Sequence, residues 1–438
     1  MPKVCLVSLG CAKNLIDSEQ MLSVLDKAGY EITDEPMEAD YAVVNTCAFI
    51  ESAQAEAIEN ILRLASYKEG GRLKKLIVAG CLAQRYKDEL LRELPEVDAL
   101  LGTASPSSVV QAIEQGGSYF GDISSPLEEN ERVVSTGPSW AYIKVAEGCS
   151  HNCAYCVIPS LRGRYRSRPM EKIVEEARSL AEAGVKELIV VAQDPTLYGV
   201  DLYKKKTLAE LLRWLCRIEG IKWIRLHYLY PDAVDDELID VIASEEKVLK
   251  YLDIPIQHIN NGILKRMRRR GTGDQIRELI KKLRERIGGV VLRTSLITGL
   301  PGEGEEEFEE LCDFLREARL ERAGVFPFSP EEGTDAAKMD HPDGETAQRR
   351  AELVNELQAE IMEEFNESRV GTVTEVLCEG FDEEAGFYLG RSFAESPDVD
   401  GYILFSGENV KTGEFYRVIL RGQLEGDLVG EVIKEEQK

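Results

Sequence analysis

EGCSHNCAYC, residues 147–156, sets Cys149, Cys153 and Cys156 in CxxxCxxC spacing. Three thiolates this close can grip three irons of one cubane iron–sulfur cluster. No fourth cysteine follows nearby, so the fourth iron keeps an open position, and open metal positions are where chemistry takes place. Zinc is a competing reading, with His151 completing a Cys3His set. Zinc knuckles, however, favour paired CxxC, and only Cys153–Cys156 has that spacing. A ferredoxin-like electron carrier is the other alternative, although such proteins run CxxCxxC with a distant Cys-Pro.

Working outward, the stretch directly follows a strand-like run, AYIKVAEG. Five more runs come after it: ELIVVA, WIRLHYL, YLDIPI, VVLRTSLI and GVFPF, with helices at 171–183, 207–216 and 305–317 between them. Six strand-then-helix units predict a (βα)6 partial barrel with function at the carboxyl ends of its strands. Gln193, His258 and Arg293 sit at or near those ends. Arg293 is the candidate carboxylate clamp, because a guanidinium fits that geometry, and His258 reads equally well as a structural histidine. TGLPGEG, residues 298–304, lacks GK[ST] and is no P-loop. Its glycines, Gly299 first, read as a turn that brings backbone close to a flat ligand. KRMRRRG, residues 265–271, reads as a solvated basic helix face, with contact to ribosomal RNA as the alternative.

Upstream, residues 1–125 also alternate strand and helix. KVCLVSL, YAVVNT and KKLIVAG are strands, and Cys11, Cys47 and Cys81 each stand just beyond one of them. In an open parallel sheet those ends share one edge, where ligands bind. Three distant thiols therefore converge and can hold a second iron–sulfur cluster, again with one iron free. Asp17 and Ser18 are cap candidates for a helix over 17–28. A second helix over 52–67 places Ile58, Ile61, Leu62 and Ala65 on its inner face. Cys5, Cys216, Cys312 and Cys378 read as core residues.

Residues 122–138 read as a linker. After a helix over 348–369, short β-type runs with Gly and Asp turns predict a small all-β barrel. The organisation is therefore α/β: a parallel-sheet domain over 1–125, a partial barrel over 136–367 and a β-barrel over 369–438. The net charge is −26, a field that repels nucleic acid. Residues 369–438 hold seven Lys/Arg against fifteen Asp/Glu, which suits a basic protein partner. No run reaches a membrane span and no secretory leader is evident, so a soluble cytoplasmic protein is expected. Clustered cysteines in such a reducing compartment suggest metal rather than disulfides.

The CxxxCxxC stretch resembles the radical S-adenosylmethionine superfamily. LGCAKNLIDSE, NTCAF and AGCLAQRY are similar to its methylthiotransferases along the whole chain. That resemblance implies an auxiliary 4Fe-4S cluster on Cys11, Cys47 and Cys81, a radical core, and a C-terminal TRAM domain. It also implies a 4Fe-4S cluster on Cys149, Cys153 and Cys156, with S-adenosylmethionine on the open iron; Gln193, Arg293 and Gly299, read from their strand-end and turn positions, are then the candidate cofactor contacts. LHYLYP, LDIPIQH and GRSFAESPDVDG resemble the RimO type, which methylthiolates an aspartate β-carbon in small-subunit ribosomal protein S-twelve. Members of the family with tRNA substrates instead carry GCxMN, SPHP and LPxQS. Ala12 departs from a proline found in many relatives. The implied partners are a basic ribosomal protein and a low-potential electron donor, with tRNA and membrane disfavoured.

Overall fold

Parallel strands must be covered on both faces, which is why apolar runs alternate here with amphipathic helices. The computed structural model describes residues 1–69 and 71–433, so the last five residues of the expected β-barrel range lie outside it. The first sheet is wholly parallel. It comprises β1 (Lys3–Ser8), β2 (Glu31–Ile32), β3 (Tyr41–Thr46), β4 (Lys75–Gly80), β5 (Ala99–Leu101) and β6 (Gly117–Tyr119), in the order β2-β1-β3-β4-β5-β6. The three shortest strands, β2, β5 and β6, escape the sequence pattern because two or three residues carry no readable period.

Residues 122–138 form no helix or strand, as expected of a linker, yet they are fastened. Val133 N–H donates to Glu19 O, and Arg132 pairs with Glu19 and Glu176. Next come β7 (Trp140–Lys144) and a short hairpin of β8 (Ala146–Glu147) with β9 (Arg166–Ser167). The remaining strands of the second sheet are β10 (Glu187–Val191), β11 (Trp223–Leu226), β12 (Val248–Asp253), β13 (Val291–Thr298) and β14 (Arg322–Pro327). Strands β7 and β10–β14 form one parallel six-stranded sheet, in the order β14-β13-β12-β11-β10-β7. That is the expected partial barrel, and its core is the largest apolar cluster of the chain.

A helix over Gly344–Arg369 leads to a closed barrel of β15 (Val373–Asp382), β16 (Phe387–Arg391), β17 (Ile403–Ser406), β18 (Phe415–Leu424) and β19 (Asp427–Val432). Its loop over 391–400 lies against the strands of the six-stranded sheet. Arg391 donates to Glu187 at 2.8 Å, Arg225 to the Phe393 carbonyl at 2.8 Å, and Tyr251 to Asp400 at 2.7 Å. Ser396 meets His227 at 2.7 Å. Glu187, Arg225 and Arg391 are wholly buried; Glu187 joins the two arginines, Arg391 also pairs with Glu379, and Arg225 also donates to loop carbonyls.

Two local expectations change. The first helix runs over Ala12–Lys27, with Cys11 in extended conformation at its N-cap. Asp17 and Ser18 are therefore interior positions rather than caps, and both are buried by partners on other elements. The second helix, Glu51–Ala65, turns Ala57, Ile61 and Leu64 inward, while Ile58 and Leu62 are 39% and 47% exposed. The buried stripe is Ala57, Ile61, Leu64 and Ala65, which sets it off from the expected one by about one position. Cys5 and Cys378 are buried, and Cys216 and Cys312 are half-buried against the barrel core. Among the described residues no helix is long and apolar enough to cross a membrane.

Removing one partner of a buried ion pair costs about 3–5 kcal/mol. Arg391→Met is therefore expected to lower the urea midpoint and to speed proteolysis within residues 391–402. Unchanged values for both would show that the loop is not held by these charges.

Candidate functional site

Strands β1, β3 and β4 deliver Cys11, Cys47 and Cys81 to one edge of their sheet, as the alternation requires. The turn after β8 delivers Cys149, Cys153 and Cys156 from the other domain. All six thiols line a single cleft with about 1190 Å³ of empty space, counted out to its open mouth. None is in a disulfide. Gly148 makes the second loop possible. It has φ +77°, and a Cβ there would fall 2.3 Å from Arg164 O, so Cys149 N–H can donate to Gly163 O at 3.0 Å.

The thiols form two electrostatic groups, Cys11 with Cys47 and Cys81, and Cys149 with Cys153 and Cys156. Burial pushes Cys81 and Cys156 up to about 12 and Cys149 up to about 11, and it also raises Cys47. At Cys11 burial acts the same way, but Lys13 and Arg162 outweigh it and hold the thiol below its ordinary value. Among the described residues no three His, Cys, Asp or Glu side chains close around one point as a single ion needs. Soft sulfur donors spread over a wider site fit a polynuclear iron–sulfur group. His151 does not complete a zinc set through Nε2, which lies 2.6 Å from Asp194 Oδ2. Its ring stacks on Tyr230 at 4.0 Å.

Between the two groups lies a buried network. Arg162 donates to Asp17 at 3.0 Å, to Glu147 at 2.9 Å and also to Asn14. Lys144 donates to Asp17 at 2.7 Å and to Glu147 at 2.9 Å. Asn14 in turn donates to the carbonyls of Leu9 and Thr46, and its Oδ1 lies 3.8 Å from Cys81 Sγ. Burial works against the Glu147 carboxylate, but Arg162 and Lys144 hold it well below the usual range. The sequence does carry a signal for this network. Lys144 and Glu147 are charges within an otherwise apolar strand run, where a charge must find a partner.

The other sequence candidates divide. Gln193 lines the cleft; its Nε2 donates to Glu147 at 2.8 Å and its buried Oε1 has no partner. Arg293 does not line it. It is the third residue of β13, far from that strand's carboxyl end, and it is locked to Asp253 at 3.0 Å. Gly299 is also elsewhere. Its Cβ would fall 2.4 Å from Ala347 Cβ, so the glycine turn is spent on packing against the long helix rather than on a ligand. His258 is fully buried, with Nδ1 accepting from Asn260 N–H, and is structural. Arg269, which the basic run hides, is buried over the Tyr230 ring at 4.0 Å, with Nη1 4.0 Å from Cys153 Sγ. The solvated-face reading of residues 265–271 thus fails for Arg269 and for Met267, which is 1% exposed.

Three family models match the chain: "Radical SAM superfamily" over 143–315, "TRAM domain" over 370–433, and "Uncharacterized protein family UPF0004" over 3–102. The ribosomal protein uS12 methylthiotransferase RimO of Lachnoclostridium phytofermentans is 50% identical over 98% of this chain and 99% of its own. The chain belongs to the RimO family. The Geobacter sulfurreducens relative of the same name is 48% identical over 98% of each chain. As a RimO-family member the protein is a methylthiotransferase of the radical S-adenosylmethionine superfamily, whose chemistry employs a 4Fe-4S cluster and S-adenosylmethionine. Among solved structures, the radical S-adenosylmethionine methyltransferase TsrM from Kitasatospora setae superposes with TM-score 0.55 at 15% identity, covering 90% of this chain and 86% of its own. The cobalamin-dependent radical enzyme OxsB gives 0.51 at 15%, covering 83% of this chain and 56% of its own. At such identities the likeness is one of fold.

In metal-free protein at pH 8, iodoacetamide is expected to modify Cys11 first and Cys81 and Cys156 last, because the thiolate is the nucleophile. Peptide mass spectrometry gives the order, and Lys13→Ala should slow labelling of Cys11. Uniform labelling would contradict the electrostatics described.

Proposed function

We propose that this chain attaches a methylthio group to the β-carbon of an aspartate in small-subunit ribosomal protein uS12. Cys149, Cys153 and Cys156 would hold one 4Fe-4S cluster, and Cys11, Cys47 and Cys81 a second. The observation that carries this reading is the arrival of all six thiols, from two domains, in one cleft. Residues 1–125 then serve as the auxiliary-cluster domain, 136–367 as the radical core and 369–438 as the TRAM domain. With S-adenosylmethionine bound and an electron from a low-potential donor, the centre held by Cys149, Cys153 and Cys156 would supply radical chemistry able to take hydrogen from a carbon no side-chain base could deprotonate.

The chain's own residues hold the geometry for that reaction. Gln193 offers its free Oε1 to the bound cofactor. Tyr155 and Tyr230 wall the cleft against water. Arg162 and Lys144 keep the two cysteine groups facing each other. The acidic balance of residues 369–438 favours a basic ribosomal protein, whereas an enzyme acting on tRNA would need a basic surface there. The setting is the cytoplasm, where thiols stay reduced.

In reconstituted protein, Cys153→Ala is expected to abolish 5′-deoxyadenosine formation. Cys47→Ala should retain it and block sulfur insertion. Mass spectrometry of uS12 and tRNA from a deletion strain should show the methylthio group lost from uS12 alone; loss from tRNA instead would overturn the substrate assignment.

A further inference from the structure

Residues 265–286 hold ten Lys/Arg and three Asp/Glu in a chain of net charge −26. The part nearest the cleft is 265–270, five cations and no acid. Its backbone is bonded to the cysteine loop itself: Ala154 N–H donates to Met267 O at 3.0 Å. On the other side of that loop, Ala336 N–H donates to Ala154 O at 2.8 Å. Arg269 turns inward to Cys153, while Lys265, Arg268 and Arg270 around it are exposed, as is Lys338 beside Ala336. Arg268 is paired with Asp335 at 2.6 Å. Lys265, Arg270 and Lys338 have no ion-pair partner among the described residues. An exposed cationic rim over residues 265–270, edged on its other side by the exposed acids Glu332, Asp335 and Asp340, therefore lies over Cys153, Ala154 and Cys156, which pack with Met267 and Ala336 in one cluster.

We infer that this rim is the docking surface for an acidic, low-potential electron-carrier protein, which delivers its electron through the 265–270 segment to the centre at Cys149, Cys153 and Cys156. The inference rests on the function proposed above, which requires an outside electron. An acidic carrier is repelled by the molecule as a whole. At physiological salt the screening length is about 8 Å, so a local patch rather than the net charge decides where the carrier settles. Complementary charge governs the encounter rate and orientation more than the final affinity. A surface of this kind is thus expected to act through carrier concentration and salt. Ribosomal RNA would also meet a cationic rim. The patch, however, is centred on the wall of the radical cleft, and the rest of a strongly acidic protein repels a polyanion as long as RNA.

The test compares the full reconstituted protein with the triple variant Lys265→Glu, Arg270→Glu, Lys338→Glu, none of which lines the cleft. 5′-Deoxyadenosine formation is driven either by dithionite or by an acidic flavodoxin with its NADPH-dependent reductase. The variant is expected to keep its dithionite rate within about twofold. Its flavodoxin-driven rate should fall at least tenfold at limiting carrier and lose the salt sensitivity of the unaltered protein. Equal flavodoxin kinetics in the two proteins overturn the inference, as does an equal fall under both reductants. Unchanged flavodoxin kinetics with lost retention of a small-subunit ribosomal RNA fragment would assign the rim to RNA and overturn it as well. Failure of the unaltered protein under both reductants would overturn the proposed function and this inference together.

Discussion

Four buried charges hold the two halves of the cleft in register. Asp17 comes from the first domain, and Lys144, Glu147 and Arg162 come from the second; none is more than 7% exposed. Two acids and two bases leave the group neutral, but each ion lost several kcal/mol of hydration on burial. Apolar residues of the same volume could therefore pack there with equal or greater stability. What they could not do is define one arrangement. An ion pair tolerates little slippage in a low-dielectric interior, whereas apolar surfaces slide. Arg162 bonds Asn14 on the side of Cys81 and Glu147 on the side of Cys149. Any shift between the domains would break bonds at both ends.

That arrangement explains why the cysteines could be read from the sequence while their setting could not. A thiol just past a strand is visible in one dimension, and parallel topology then fixes the edge it shares with others. The barrel was legible for the same reason, since six apolar runs with helices between them have few other ways to fold. Arg293 departs from its expected place because an apolar run marks a strand without marking where it ends, and five residues of β13 follow it. Gly299 was misread because a tight glycine turn signals close approach without saying to what. Arg269 was hidden among identical neighbours; only the three-dimensional path of the chain separates the inward arginine from the outward ones.

The charge pattern is likewise uneven. A net value of −26 describes the whole chain, yet residues 265–270 beside the cysteine cleft hold five cations and no acid. The same chain therefore carries an acidic balance over residues 369–438 and a cationic run beside the 149–156 loop. Two basic-or-acidic preferences in one chain are hard to see in a total and clear in a map.

The loop over residues 391–400 bears on how such proteins can diversify. A terminal β-barrel joined by one helix looks portable, something that recombination could exchange to retarget an old chemistry. Here its loop supplies Ser396 to His227 and Asp400 to Tyr251, and its Asp398 and Val399 share a recess with Cys11. A transplanted barrel would bring the wrong inner wall. The barrel and the cysteine cleft must therefore be inherited as one piece, and change between them proceeds by paired substitutions across the junction rather than by swapping parts.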